Sequence, residues 1–187
     1  MALVESHMLP LGTKAPSFSL PNVVNENNQQ LEKLKGKKGT LIIFMCNHCP
    51  YVVHLLEGIL KTAKVFAEKE IATIAISSNS IKTHPQDGPE EMKKLALSKN
   101  FTFPYLYDET QQIAQAYQAA CTPDFYLFAQ TLNLVYRGRY DNARPGNDIS
   151  ITGVDLHQAA ELMLSKLPQI EPQYPSMGCS IKWHEKQ

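Results

Sequence analysis

The feature that most constrains this chain is an apolar, β-branched run, Leu41-Ile42-Ile43-Phe44-Met45, that stops at Cys46-Asn47-His48-Cys49-Pro50. A run this short suits a strand buried in a parallel sheet better than a helix. Pro50 fits the first turn of a following helix, because the N–H it lacks has no intrahelical partner there. The two cysteines therefore fall where a strand hands over to a helix N-terminus. Unpaired N–H groups and the positive end of the helix dipole favour a thiolate at that place. Two intervening residues bring the sulfurs close enough to close a small disulfide ring, as a dithiol–disulfide couple requires.

The rest of the sequence narrows the setting. A length of 187 residues is expected to form one domain over 1–187, with a loose N-terminal arm at 1–10 and an extended C-terminal tail at 168–187. Basic and acidic residues balance at 18 each, with no basic stripe, so nucleic acid is not an expected partner. The first seven residues, Met1 to His7, contain no Lys or Arg and no apolar core, so they do not read as a secretory signal. No apolar run approaches a membrane span. A soluble, cytoplasmic protein is expected. Four cysteines are too few at this size for a disulfide scaffold, and in a reducing compartment a CxxC reads as redox-active or metal-binding.

Periodicity places the remaining elements. Ala15–Pro21 reads as a short edge strand and the polar stretch 22–30 as a hairpin-like excursion. Val52, Leu55, Leu56, Ile59, Leu60, Ala63 and Phe66 recur at steps of three and four, marking an amphipathic helix over 51–68. Ile71–Ile76 is a second buried strand, and 90–99 a helix with acid in its first turn. Phe103–Tyr107 is extended, and Asp108 is placed to cap a helix over 109–120. Strands follow at 125–128 and 132–136, and a last helix starts at Thr152 or Asp155 and runs to about Leu167. Parallel strands joined through helices, then an antiparallel hairpin, predict an α/β fold with a central mixed sheet covered on both faces.

Cys46-Asn47-His48-Cys49 after a buried strand, together with Thr122-Pro123 just before another, resembles the thioredoxin superfamily. Gly12-Thr13-Lys14-Ala15-Pro16-Ser17-Phe18 is similar to the opening motif of its peroxiredoxin-like redoxins, of AhpC/TSA type. Cys121-Thr122-Pro123-Asp124-Phe125 and Met177-Gly178-Cys179-Ser180-Ile181-Lys182-Trp183 look like a bacterial subgroup of these. The resemblance covers residues 10–183. It implies a thioredoxin fold with an N-terminal β extension, a cis peptide bond at Pro123 beside the CxxC, and no cofactor. Cys46, nearer the exposed tip, would attack a disulfide; Cys49 would resolve the mixed disulfide; Pro123 and Thr122 would shape the docking groove. The partners would be a disulfide substrate and a thiol reductant. True peroxiredoxins carry Pro-x-x-x-Thr-x-x-Cys, whose cysteine aligns with Cys49. Here Ile42 and Cys46 stand at the Pro and Thr places, and no Arg stands near Cys121-Thr122.

Three further residues are candidates at the site. His48, directly before Cys49, is either an exposed turn residue or a cation that stabilises the Cys46 thiolate. Cys121 lies two residues before Pro123 and is either a space-filling apolar side chain or a third redox thiol. Cys179 is expected to serve tail packing, with Trp183 as the hydrophobic anchor of the tail. Peroxide reduction is one rival function. A second is Zn or Cu binding through Cys46, His48, Cys49 and Cys121, although no metal is expected, and a third is a binding module with a vestigial CxxC.

Overall fold

A computed structural model describes residues 3–185, and the expectations for residues 1–2 and 186–187 lie outside the described residues. The sheet that positions the site is built on strand β4, the fourth strand in chain order (Gly39–Phe44). All six of its residues are buried, because it has a strand on either side and a core layer on each face. β5 (Ile71–Ser77) lies parallel to it, and β6 (Tyr105–Tyr107) lies parallel to β5. On the other flank β8 (Asp124–Ala129) runs antiparallel to β4 and is followed by antiparallel β9 (Leu134–Gly138). The order is β6-β5-β4-β8-β9, the mixed sheet that the resemblance implies.

Alternation along β4 divides the core in two. Leu41 and Ile43 face a cluster that includes Val52, Leu55, Leu56, Ile59, Ala63 and Phe66 of helix α2 (Pro50–Glu68). Helices α3 (Pro89–Ser98) and α5 (Val154–Leu164) add Met92, Ala96 and Leu156 to that layer. Ile42 and Phe44 face the other side, against Tyr117, Tyr126 and Phe128. That side is closed by α1 (Leu31–Leu34), by α4 (Gln112–Ala116) and by the hairpin of β2 (Ser19–Pro21) with β3 (Asn28–Gln30). Each large apolar side chain buried this way contributes about 1.5–3 kcal/mol. No helix among the described residues is long and apolar enough to cross a membrane.

The structure corrects several expectations. The N-terminal arm is not loose over its described part: β1 (Leu3–Glu5) pairs antiparallel with β10 (Met177–Ser180), which in turn pairs with β7 (Cys121–Thr122). The four-residue helix α1 has no periodicity to betray it. Helix α4 is shorter than 109–120, because Gln111 sits at φ +62° and delays its start. Asp108 still reaches its first turn, with Oδ2 accepting from Ala114 N at 2.9 Å. α5 opens at Val154, whose N donates to Thr152 Oγ1 at 3.3 Å, and Asp141 holds the turn before it, its Oδ2 accepting from Thr152 N at 2.7 Å and Gly153 N at 2.6 Å. Trp183 is 40% exposed, and the buried apolar peg of the tail is Ile181, 3% exposed. Polar bonds complete the docking, with Lys182 N donating to Asn79 Oδ1 at 2.8 Å and His184 N to Gln111 Oε1 at 2.7 Å.

Candidate active site

The chain leaves β4 at Phe44, keeps one more sheet bond (Met45 N to Ile76 O, 2.9 Å), and turns through Cys46-Asn47-His48-Cys49 into α2. Cys49 is the N-cap residue and Pro50 opens the helix, as the spacing predicts. Thr122-Pro123, joined by a cis peptide bond, comes up from β7 to face the turn. Thr122 touches both cysteines: its Oγ1 is 3.5 Å from Cys46 Sγ, and its carbonyl oxygen is 3.0 Å from Cys49 Sγ. Cys46, Cys49, Thr122 and Pro123 thus form one constellation.

Three placements differ from the sequence reading. Cys46 is not at an exposed tip, since it is 1% exposed and Cys49 0%. Their entry is flanked by half-buried Asn47 and His48. His48 is turned towards a residue that sequence reasoning missed: its Nδ1 lies 2.5 Å from Asp87 Oδ2 and 3.8 Å from Cys46 Sγ. Asp87, wholly buried in a short turn before α3, also accepts from Asn47 N (2.9 Å) and His48 N (3.2 Å) through Oδ1, and from Asn79 Nδ2 (2.9 Å) through Oδ2. Cys121 takes its space-filling reading, with its Sγ 3.9 Å from the Pro123 carbonyl and its thiol pushed up by burial, and the third difference is Cys179. Cys179 stands at the dithiol instead, its thiol within hydrogen-bonding reach of Cys49.

The electrostatics follow from these contacts. The two sulfurs of the CxxC act on each other as a coupled pair. The hydrogen bond donated by Cys46 pulls Cys49 down to about 4, against the cost of burial. Thr122, Cys179 and the nearby Val52 N–H at the helix start act in the same direction. Cys46 is pushed up by that same hydrogen bond, by burial and by the facing Asp87 carboxylate. Cys49 Sγ also donates to the Thr122 carbonyl oxygen, which accepts only from the protonated thiol, so the two cysteines titrate as a pair. His48 stacks on His84 with ring centroids 4.8 Å apart, and burial followed by the His48 charge lowers the His84 pKa.

Cys46 Sγ, His48 Nδ1 and Asp87 Oδ2 lie within 4.8 Å of one another, the only such set among the described residues. They fit a metal poorly, because both Asp87 oxygens already accept from protein donors and Cys121 is not in the group.

The strand that brings Cys179 in depends on one glycine. A Cβ on Gly178 would meet the Thr122 carbonyl oxygen at 2.1 Å, and backbone cannot yield as a side-chain tip can. Gly178→Ala is expected to cost about 1–3 kcal/mol through overpacking, read as a lower urea midpoint. An unchanged midpoint would mean that β10 does not seat against Thr122.

Comparison with known proteins agrees with this architecture. A model of the AhpC/TSA family matches residues 11–137. No curated protein matches the chain. The crystal structure of an uncharacterized conserved protein from Geobacillus kaustophilus is 47% identical, with TM-score 0.97, over 100% of this chain and 99% of that one. A hypothetical protein from Sinorhizobium meliloti 1021 is 38% identical, with TM-score 0.94, over 97% and 99%. The thioredoxin domain of a thiol-disulfide oxidoreductase from Bacteroides vulgatus shares 19% identity, with TM-score 0.64, over 84% and 99%, and marks the fold as thioredoxin-like.

Proposed function

Since this chain belongs to the AhpC/TSA family, we propose that it is a thiol–disulfide oxidoreductase working through the Cys46–Cys49 dithiol. The observation that carries this reading is the pair of sulfurs held against Thr122. Cys46, its proton given up to solvent, attacks one sulfur of a substrate disulfide as a thiolate. The other substrate sulfur leaves as a thiolate and is protonated. Cys49 then gives up its proton and attacks Cys46, forming the Cys46–Cys49 disulfide and releasing the second substrate thiol. A thiol reductant restores the pair. The cis Thr122-Pro123 edge is where an extended substrate would dock, and no cofactor enters the cycle.

Peroxide reduction is the second reading, and the family membership favours it. The site opposes it. The donors around Cys49 are Cys46, Thr122, Val52 and Cys179, with no arginine to polarise an O–O bond, and the charge that faces Cys46 is the anionic Asp87. One assay separates the two: protein disulfide and hydrogen peroxide offered in turn under the same dithiol reductant. Disulfide turnover is expected, with peroxide oxidising the protein no faster than a free thiol. Fast peroxide consumption with no disulfide turnover would reverse the order.

A further inference from the structure

We infer that Cys49 is the shared sulfur of two alternative disulfides, Cys46–Cys49 and Cys49–Cys179, and that Cys179 is a third redox thiol that draws the oxidised bond into the C-terminal strand. This deepens the disulfide-exchange reading and rests on it.

The argument begins with strand parity. Residues directly opposite one another in an antiparallel pair point to the same face. Cys179 stands opposite Thr122, and Ser180 opposite Cys121. Thr122 Oγ1 touches Cys46, so the face that carries Cys179 is the face of the dithiol. Cys179 accordingly belongs to the same apolar cluster as Cys46 and Cys49, which does not include Cys121. Cys49 is thereby met by a thiol on either side, Cys46 from its own turn and Cys179 from the tail. The tail strand is fixed in this register by Gly178 lying flush on the Thr122 carbonyl and by β1 on its far edge, where Leu3 pairs with Cys179.

Oxidation of the pair changes the electrostatics around Cys179 in a useful sense. In the reduced protein its thiol is pushed up to about 12, first by burial, then by its hydrogen bond to Cys49 and by the negative charge there, with Lys182 opposing. Once Cys49 is in a disulfide it carries no charge, and two of those three causes vanish. Lys182 and burial remain. Cys179 thus becomes easier to deprotonate when a disulfide stands beside it.

The exchange is balanced without a co-reactant. Cys179 loses its proton to solvent and attacks the Cys49 sulfur. The Cys49–Cys179 bond forms as the Cys46–Cys49 bond breaks, and the electron pair leaves on Cys46, which is then protonated. Nothing is oxidised or reduced overall. Cys46 is returned to the thiol form and can engage a second disulfide while the first oxidising equivalent is held in β10.

The test uses the full-length protein oxidised with one equivalent of diamide, followed by iodoacetamide and non-reducing peptide mapping. Oxidised wild type is expected to yield both linkages and to alkylate Cys46. Cys179→Ser is expected to yield only Cys46–Cys49, with Cys46 protected. Cys46→Ser is expected to lose two thiols on oxidation through an intramolecular Cys49–Cys179 bond. A single Cys46–Cys49 linkage in wild type, or Cys46→Ser protein that keeps three thiols or only dimerises, overturns the inference. No substrate enters this experiment, so its failure is separate from a failure of disulfide turnover in the assay above.

Discussion

Cys46→Ser protein is expected to turn over disulfides at least about a thousandfold more slowly than wild type, a loss of roughly 4 kcal/mol of transition-state stabilisation. A serine hydroxyl at this position fits the space and keeps a hydrogen bond towards Cys49, but it cannot form the mixed disulfide. Cys49→Ser is expected to fail later. Cys46 can still attack, with Thr122 and the helix N-terminus in place, yet no second sulfur stands in position to release the product. Mass spectrometry of Cys49→Ser after exposure to substrate should therefore show an adduct on Cys46. The hydrogen bonds that Cys49 receives, which favour its thiolate, make the reverse assignment a real competitor. Adducts forming on Cys49 of the Cys46→Ser protein, with turnover near that of wild type, would hand the attack to Cys49.

Asp87→Ala is expected to cost about 3–5 kcal/mol of stability, the usual consequence of removing one partner from a buried charged network. Four donors lose their acceptor at once: Asn47 N, His48 N, His48 Nδ1 and Asn79 Nδ2. Asp87 is 0% exposed and Asn79 2%, so the Asn79 amide in particular has no water to turn to. Asp87→Asn keeps the shape and an acceptor for the two backbone N–H groups, so its stability loss is smaller. Its effect on chemistry has a definite sign. The carboxylate opposes a second negative charge on Cys46. Neutralising it makes the thiolate easier to form, and the Cys46 pKa falls. Alkylation rate against pH reads that shift, and a Cys46 pKa at or above the wild-type value would remove Asp87 from the electrostatics of the site.

The parts of the site that neighbour one another along the chain are legible in the sequence. Cys46, Cys49 and Pro50 mark a strand-to-helix turn by spacing and proline alone, and resemblance identifies Thr122-Pro123 as its opposite wall. What meets the turn from elsewhere is not legible. Asp87 comes from the loop after β5, in a stretch whose prolines say only that the chain turns. Cys179 and Cys121 cannot be ranked by sequence, because a shift of one residue in the β7–β10 register exchanges their faces. Cys121 is the nearer thiol by position, yet parity assigns the site to Cys179. His48 reads as a partner for sulfur because nothing in the sequence announces the carboxylate that holds its ring. The tail misleads in the same way: Trp183 has the larger apolar surface but is 40% exposed, while Ile181, the first residue after β10, is 3% exposed.

The three-stranded sheet of β1, β10 and β7 ties Leu3–Glu5, Thr122 and Cys179 into one ladder, and so joins segments about 170 residues apart in the chain. On a ribosome this ordering has a consequence in time. The CxxC turn is made early, with β4, α2 and β5 able to meet as soon as they emerge. At about 5–20 residues per second, the roughly 130 residues between Cys49 and Cys179 keep the nascent site without its last strand for on the order of ten seconds. In that interval Cys46 and Cys49 stand without the cover of β10, and the tail is the last element to reach them.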